Sequence, residues 1–432
     1  MSNETAPSTR RDFLKTSAVA AALAAPLAPS RALGANDRVN IGWIGVGTRG
    51  SAGLGWLHSA SPETAQITAI CDTYDGYIAR AKDIMKTTWG TTPTAYKDYR
   101  DLLADKNVDA VFIMTPEHLH HDMAIAALKA GKHVYVEKPL AHTIEEGFEI
   151  VKVWEQSGKV CQVGTQNRSS SLYKKAKEMV DQGMIGDVHY VRAFWYRNSA
   201  PSDSAAWRYV IPAEATPQNT DWKKFLGTAP QRDWSPERYF QWRLYWDYSG
   251  GISTDLLVHQ TDIVNFMLSK TVPKSCVSSG GIYRWHDDRD TPDTFSAIYE
   301  YENNFHINYS CYFGNVHFGY GEQLCGNEGT ITVENRTDLT YTPEVFPNLK
   351  TAPPAFSSRA PIHINGQTEY KERDGAINHF RNFINSVRGI EKPIAPPPVG
   401  QQAAISGHMA TLSFKHDKKI YWDAKTNQYH FS

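Results

Sequence analysis

The stretch Val39-Asn40-Ile41-Gly42-Trp43-Ile44-Gly45-Val46-Gly47-Thr48-Arg49-Gly50 decides how the chain is read. A mostly apolar run passes without a break into Gly-x-Gly-x-x-Gly, the pattern of a buried strand that turns directly into a helix. Gly45 permits the tight turn, Gly47 lets the backbone approach a pyrophosphate, and Gly50 lets the helix pack closely. Thr48 and Arg49 stand at the helix N-terminus, whose free amides and partial positive charge favour phosphate oxygens. Alone the glycine spacing is a weak signal. The next strand strengthens it, because Gln66-Ile67-Thr68-Ala69-Ile70-Cys71 ends in Asp72, where an acid accepts hydrogen bonds from ribose hydroxyls. Such an acid repels a 2′-phosphate, so NAD is the expected cofactor. Arg80 and Lys82 keep NADP as the lesser alternative.

Three further strands follow with the same habit. Val108–Met114 ends in Thr115-Pro116-Glu117-His118-Leu119-His120-His121, His133–Val136 ends in Glu137-Lys138-Pro139-Leu140, and Val160–Gly164 ends in Thr165-Gln166-Asn167-Arg168. Polar clusters at the carboxyl ends of strands are where open parallel sheets hold ligands. Thr115, Pro116, His118, His121, Glu137, Lys138 and Gln166 therefore join Gly45, Gly47, Thr48, Arg49, Gly50 and Asp72 as cofactor-facing candidates. The three histidines lack a metal-site spacing and are read as polar residues facing solvent or substrate, with no metal expected.

Upstream, Arg10-Arg11-Asp12-Phe13-Leu14-Lys15 precedes an Ala/Leu-rich run over Ala18–Ala28 and small residues at Ser30, Ala32 and Ala35. This is the order of an export signal of the twin-arginine type, expected over residues 1–35, and the apolar run is too short to span a membrane. That route carries folded proteins, so the five cysteines are expected as packing residues rather than disulfides. A net charge of −1 with no basic cluster excludes nucleic acid as the natural partner.

After Arg168 the pattern changes. A helix is predicted over 171–183, a strand over 188–196, and an aromatic, lid-like loop region over 199–248 containing Trp207, Trp222, Trp234, Trp242 and Trp246. Gly250-Gly251 then precedes a helix with Asp255 and His259 at i and i+4, which puts carboxylate and imidazole on one face. Strands at 275–283, 293–302, 305–311, 321–326 and 329–333 predict a large, mostly antiparallel sheet. A last amphipathic helix is expected over 374–388, with Phe380, Phe383, Ile384 and Val387 on one side. The fold class is α/β: a Rossmann doubly wound parallel sheet over 36–165, then an α+β domain for substrate binding and oligomerisation over 166–432.

Taken together, the glycine turn, Glu137-Lys138-Pro139 after the fourth strand, and the Asp255/His259 pair resemble the Gfo/Idh/MocA family of oxidoreductases. The resemblance implies that Lys138 points to the junction of nicotinamide and substrate, that Pro139 is a cis candidate, and that His259 is the general acid/base with Asp255 as its substrate-side partner. Oxidation of a carbinol needs a base for the hydroxyl proton and donors for the developing alkoxide, roles that imidazole and a lysine ammonium suit. Asn167, Arg168, Tyr248 and Asp262 are further candidates for substrate contact beside Asp255 and His259. A sugar or sugar derivative is the expected substrate and a homo-oligomer the expected assembly. An exported enzyme has no free NAD pool, so the cofactor should be held and recycled. That leaves net sugar oxidoreduction, glycoside cleavage through transient oxidation and elimination, or a non-catalytic NAD-bound sugar-binding protein.

Overall fold

The computed structural model describes residues 38–198, 205–302, 305–345 and 359–432, so the expected export segment lies outside the described residues. Six short strands build the first sheet: β1 (Val39–Ile44), β2 (Ala65–Cys71), β3 (Thr94–Tyr96), β4 (Ala110–Ile113), β5 (His133–Val136) and β6 (Cys161–Val163). All pair in parallel, in the order β3-β2-β1-β4-β5-β6. β1 and β4 are apolar along nearly their whole length because helices cover both faces. The order reverses between β1 and β4, which opens a crevice at the strands' carboxyl ends.

Ten strands form the second sheet: β7 (Val188–Tyr196), β8 (Ser275–Gly281), β9 (Thr294–Tyr301), β10 (Phe305–Tyr312), β11 (Tyr320–Gly326), β12 (Gly329–Glu334), β13 (Asp338–Pro343), β14 (Ile362–Asn365), β15 (Ile420–Asp423) and β16 (Gln428–Phe431). Their order is β14-β13-β12-β11-β7-β10-β9-β8-β15-β16, antiparallel except for β7 beside β10. Alternation fixes its inner face: Phe295, Ala297, Tyr299 and Tyr301 of β9 are buried while the residues between them are not. β13 to β16 were not predicted. β14, β15 and β16 have only four residues each, and the last two pack as an added hairpin against β8 after a long helix.

That helix, Pro397–His416, ties the two sheets together. Gly400, Ala403, Ala404 and Gly407 are small and buried, which lets it approach both sides closely. Gln401 Nε2 donates to the Ile144 carbonyl (2.8 Å), and on the other side Ser413 Oγ accepts from the Ser278 amide (3.0 Å) in β8. The preceding helix, Ala376–Val387, returns to the first sheet. Phe380 lies 5.0 Å from both Phe112 and Tyr135 and 6.2 Å from Trp43, ring centre to ring centre.

The lid-like reading of residues 199–248 does not hold for the described part. Trp207, Phe225, Tyr239, Phe240, Leu244, Tyr245 and Tyr248 belong to the main core. Their rings enter from two one-turn helices, Trp222–Leu226 and Pro236–Phe240, and from irregular backbone, so no period marks them as core. The segment is also tied to the first sheet: the Asp75 amide donates to the Asn219 carbonyl (3.0 Å) and the Asp221 amide to the Thr73 carbonyl (2.8 Å).

Phe380→Ala should cost about 3–5 kcal/mol of stability, since the ring is fully buried between aromatic neighbours. Denaturant unfolding checks this; a loss below about 1 kcal/mol would mean that the helix is not docked on the sheet.

Candidate active site

The glycine turn is shaped by contact. Gly45 has φ +89°, and a Cβ there would lie 2.9 Å from the Met114 carbonyl carbon and oxygen. A Cβ on Gly50 would lie 2.0 Å from the Gly45 oxygen, so Gly50 serves packing under the turn and does not itself line the cavity. The following helix, Thr48–Ala60, has neither a capping side chain nor an acid in its first turn, which leaves its positive end available to an anion. Asp72 accepts from the Val46 amide (2.8 Å), the Tyr74 amide (3.0 Å) and the Tyr239 hydroxyl (3.2 Å). Burial pushes its carboxyl up, and these hydrogen bonds oppose the shift.

A cavity of about 1040 Å³ runs along the carboxyl ends of the first sheet, from Asp72 to His259. This is at the upper end of the range for ligand cavities. Its outer end is covered by Lys224, Phe225, Tyr239 and Phe240 from the aromatic segment. The turn, the uncapped helix and the acid after β2 fit a dinucleotide in this cavity.

At the inner end Lys138 Nζ donates to the Asp255 carboxylate (2.8 Å) and to the Asp255 carbonyl (2.7 Å). Arg243 Nε donates to the same carboxylate oxygen (3.1 Å). Burial raises the Asp255 carboxyl, but Lys138 and Arg243 outweigh it and hold the group well below the usual carboxylate range. Asp255 sits in a π-turn, Ser253–Leu257, that leads into the α-helix Val258–Leu268 bearing His259, so the expected single α-helix begins with a wider turn. Burial lowers the His259 imidazole well below its ordinary value, and Lys138 and Arg336 add to the effect. His259 Nδ1 is buried with no partner among the described residues, which leaves Nε2 as the ring nitrogen toward the cavity.

The loop after β5 holds these groups in place. Lys138-Pro139 is a cis peptide bond, as the resemblance implied. His120 lies between two carbonyl oxygens, Pro139 at 2.7 Å from Nδ1 and Thr115 at 3.0 Å from Nε2, and as a burial-neutralised imidazole donates to one of them. Glu137 accepts from Arg49 Nε (3.0 Å). Glu117 accepts from the Gly250 amide (2.6 Å) and the Thr254 hydroxyl (3.0 Å), clamping the glycine pair next to Asp255.

The cavity thus brings together Gly45, Gly47, Thr48, Arg49, Asp72, Thr115, Pro116, Glu137, Lys138, Gln166, Asp255 and His259. Other expected residues lie elsewhere. His118 is buried against Phe225 and Tyr248, bonded to the Phe225 carbonyl (2.8 Å), and burial pushes it down to about 3. His121 bridges Asp122 and Glu149 on the helix surface. Tyr248 is fully buried, and Asn167 faces the interior. Arg168 and Asp262 form a bidentate ion pair (2.9 Å to each oxygen) behind the site, joining the turn after β6 to the helix of His259. Position at a strand end pointed to His118, His121, Asn167 and Arg168, but neighbouring side chains there alternate between crevice and core. Glu117, Trp195, Arg243 and Arg336 also line the cavity. Glu117 lies within a cluster the sequence marks; the other three come from distant turns and strands with no local signal.

The fold and the crevice define a dinucleotide-binding protein of the Rossmann class. A family model described as "Oxidoreductase family, NAD-binding Rossmann fold" matches residues 39–165, and the GFO/IDH/MocA C-terminal domain matches 227–332. An inositol 2-dehydrogenase/D-chiro-inositol 3-dehydrogenase of Lactiplantibacillus plantarum is 32% identical over 383 residues, covering 87% of this chain and 91% of that protein. The chain belongs to the Gfo/Idh/MocA oxidoreductase family. The glycosyl hydrolase family 109 protein 2 of Shewanella sp. (strain ANA-3) is 35% identical over 237 residues, 48% of this chain and 51% of that protein. The chain's match thus spans about half the length of this curated relative. The solved levoglucosan dehydrogenase in complex with NADH and levoglucosan shares the fold, with TM-score 0.66 at 19% identity over 88% of this chain and 98% of that one. A twin-arginine translocation signal matches residues 7–27 and marks the protein for export. Among the described residues no helix is long and apolar enough to cross a membrane.

Arg168→Leu should destabilise the fold by roughly 3 kcal/mol or more, because it strands the buried Asp262 carboxylate. Replacing both residues with leucine should recover part of the loss. Unchanged unfolding with a raised KM would instead make Arg168 a substrate contact.

Proposed function

We propose that this protein is an NAD-dependent oxidoreductase acting on a hydroxyl group of a sugar or sugar derivative, with a tightly held cofactor that returns to its starting redox state in each cycle. The carrying observation is the convergence of Lys138, Asp255 and His259 at the inner end of one cavity whose outer end is Asp72 and the glycine turn. The inositol dehydrogenase relative and the levoglucosan dehydrogenase fold are consistent with a polyhydroxylated substrate.

When bound, a nicotinamide supplies an acceptor for the electron pair of a carbinol C–H bond. The chain's own residues handle the oxygen. His259, kept neutral by burial, accepts the hydroxyl proton at Nε2. Lys138 donates toward the oxygen as negative charge develops, and the ionised Asp255, itself held by Arg243, fixes where Lys138 points. Gly45, Gly47, Thr48, Arg49, Thr115, Pro116, Glu137 and Gln166 line the cavity and would frame the dinucleotide. Asp72 supports NAD over NADP, since a carboxylate at the end of β2 accepts from ribose hydroxyls and repels a 2′-phosphate.

Tight holding of the cofactor is supported by a fixed wall at the outer end. Tyr239, a core residue, bonds both Asp72 and Thr73 (2.7 Å to the latter), so the aromatic segment is fastened to the crevice there. Loading before export and recycling in place are consistent with that wall. The solvent face of the second sheet carries exposed Val277 and Ile298, paired in register, and is the surface through which a homo-oligomer would form.

A second reading, redox-assisted glycoside cleavage, is favoured by the family 109 relatives. Both use the same three residues and differ in product. Incubation of the purified protein with sugars and glycosides, followed by mass spectrometry, separates them: an oxidised sugar with a reduced co-substrate supports the first, a released aglycone the second, and no product from any compound refutes both. Lys138→Met should lower kcat at least about 100-fold with cofactor content unchanged. Because His259 is depressed, its proton-accepting form persists below the ordinary imidazole range. The acid limb of kcat/KM should therefore fall below about pH 6.5, and a limb above that value contradicts His259 as the base.

A further inference from the structure

Arg336 stands apart from the other cations at the inner end of the cavity. Lys138 and Arg243 share the Asp255 carboxylate, and Arg49 is paired with Glu137. Arg336 lines the same inner end yet makes neither an ion pair nor a hydrogen bond among the described residues. Its guanidinium lies 5.0 Å from the Trp195 ring centre and 5.3 Å from that of Tyr320, and those two rings stack at 4.7 Å. Trp195 in turn lies 6.2 Å from the His259 ring. Contact with aromatic rings satisfies the cation through its charge, while its in-plane N–H donors, half-buried at the cavity wall, stay open to an oxygen acceptor in the cavity.

The backbone beneath this side chain is unusual. Asn335 and Arg336, in the turn between β12 and β13, have φ of +51° and +60°. Asparagine tolerates this region, whereas arginine rarely adopts it. The turn is held there by the Tyr320 hydroxyl, which donates to the Asn335 carbonyl (2.8 Å). One tyrosine thus fixes the turn and lies against the guanidinium that the turn presents. The nearby acids act on it only through charge: Glu322, pushed up by burial and partly countered by Arg336, accepts from the Tyr173 hydroxyl (2.7 Å), Asp374 accepts from the Ala376 amide (2.9 Å), and neither bonds the guanidinium.

We infer that Arg336, presented over Trp195 and Tyr320 beside His259, is a specificity residue that receives a carboxylate of the substrate, so that the substrate class is an acidic sugar. This rests on the sugar-oxidising reading above. A planar guanidinium with free in-plane donors matches a carboxylate in bidentate fashion, while the indole beside it offers an apolar surface to a sugar ring.

Calorimetric titration of the purified full-length protein with glucuronate against glucose, and galacturonate against galactose, tests it. The acid of each pair should bind at least about tenfold more tightly. Arg336→Gln should abolish that preference while leaving neutral-sugar binding within about twofold, and Arg336→Lys, which keeps the charge but loses the fork, should restore only part of it. Equal or absent binding of the acids, or a preference that survives Arg336→Gln, overturns the inference. Acid preference without any oxidised product sustains the anion site while sinking the redox reading. Oxidised neutral sugars with no acid preference do the reverse.

Discussion

Lys138 and Asp255 are 117 positions apart in sequence, and their contact is where the two sheets meet over the cavity. The lysine leaves the carboxyl end of β5 and the aspartate the π-turn before the helix of His259. A mostly buried ion pair of this kind is expensive to desolvate and persists only when its geometry is good and its remaining valences are used. Both conditions hold here, since Lys138 also reaches the Asp255 carbonyl and Arg243 takes the same carboxylate. The pair therefore does more than join two elements: it orients a donor and keeps an acid ionised beside a neutral imidazole.

The surrounding structure serves that contact. His120 packs between the Pro139 and Thr115 carbonyls, Glu117 pins the glycine pair ahead of the π-turn, and the Arg168–Asp262 pair braces the helix of His259 from behind. None of these side chains needs to touch a substrate. They limit how far Lys138, Asp255 and His259 can drift, and reaction geometry tolerates little drift. At the far end the aromatic segment bonds Asp72 through the Tyr239 hydroxyl, which fixes that wall of the crevice.

Much of the first sheet was legible because its strands are apolar runs ended by polar clusters, and Gly45 and Gly50 meet steric demands that no larger residue satisfies. The alternation of β9 and β10 made the second sheet legible as well. Legibility failed where burial is aperiodic. The rings of Phe225, Tyr239 and Tyr248 lie among prolines and charges and look like a loop, yet they fill the core. Within the site, His259 and Lys138 came from recognisable strings, whereas Arg243 and Arg336 reach the cavity from distant turns. His118 and Arg168 erred in the opposite direction, since a strand-end position does not say which way a side chain turns.

A crystal structure of the protein as purified, soaked with a sugar that it oxidises, tests the central claim most directly. One sugar hydroxyl should lie within about 3.2 Å of both Lys138 Nζ and His259 Nε2, with the nicotinamide ring against the adjoining carbon. A sugar held away from these two groups, or a dinucleotide lying outside the crevice between Asp72 and Lys138, would contradict it.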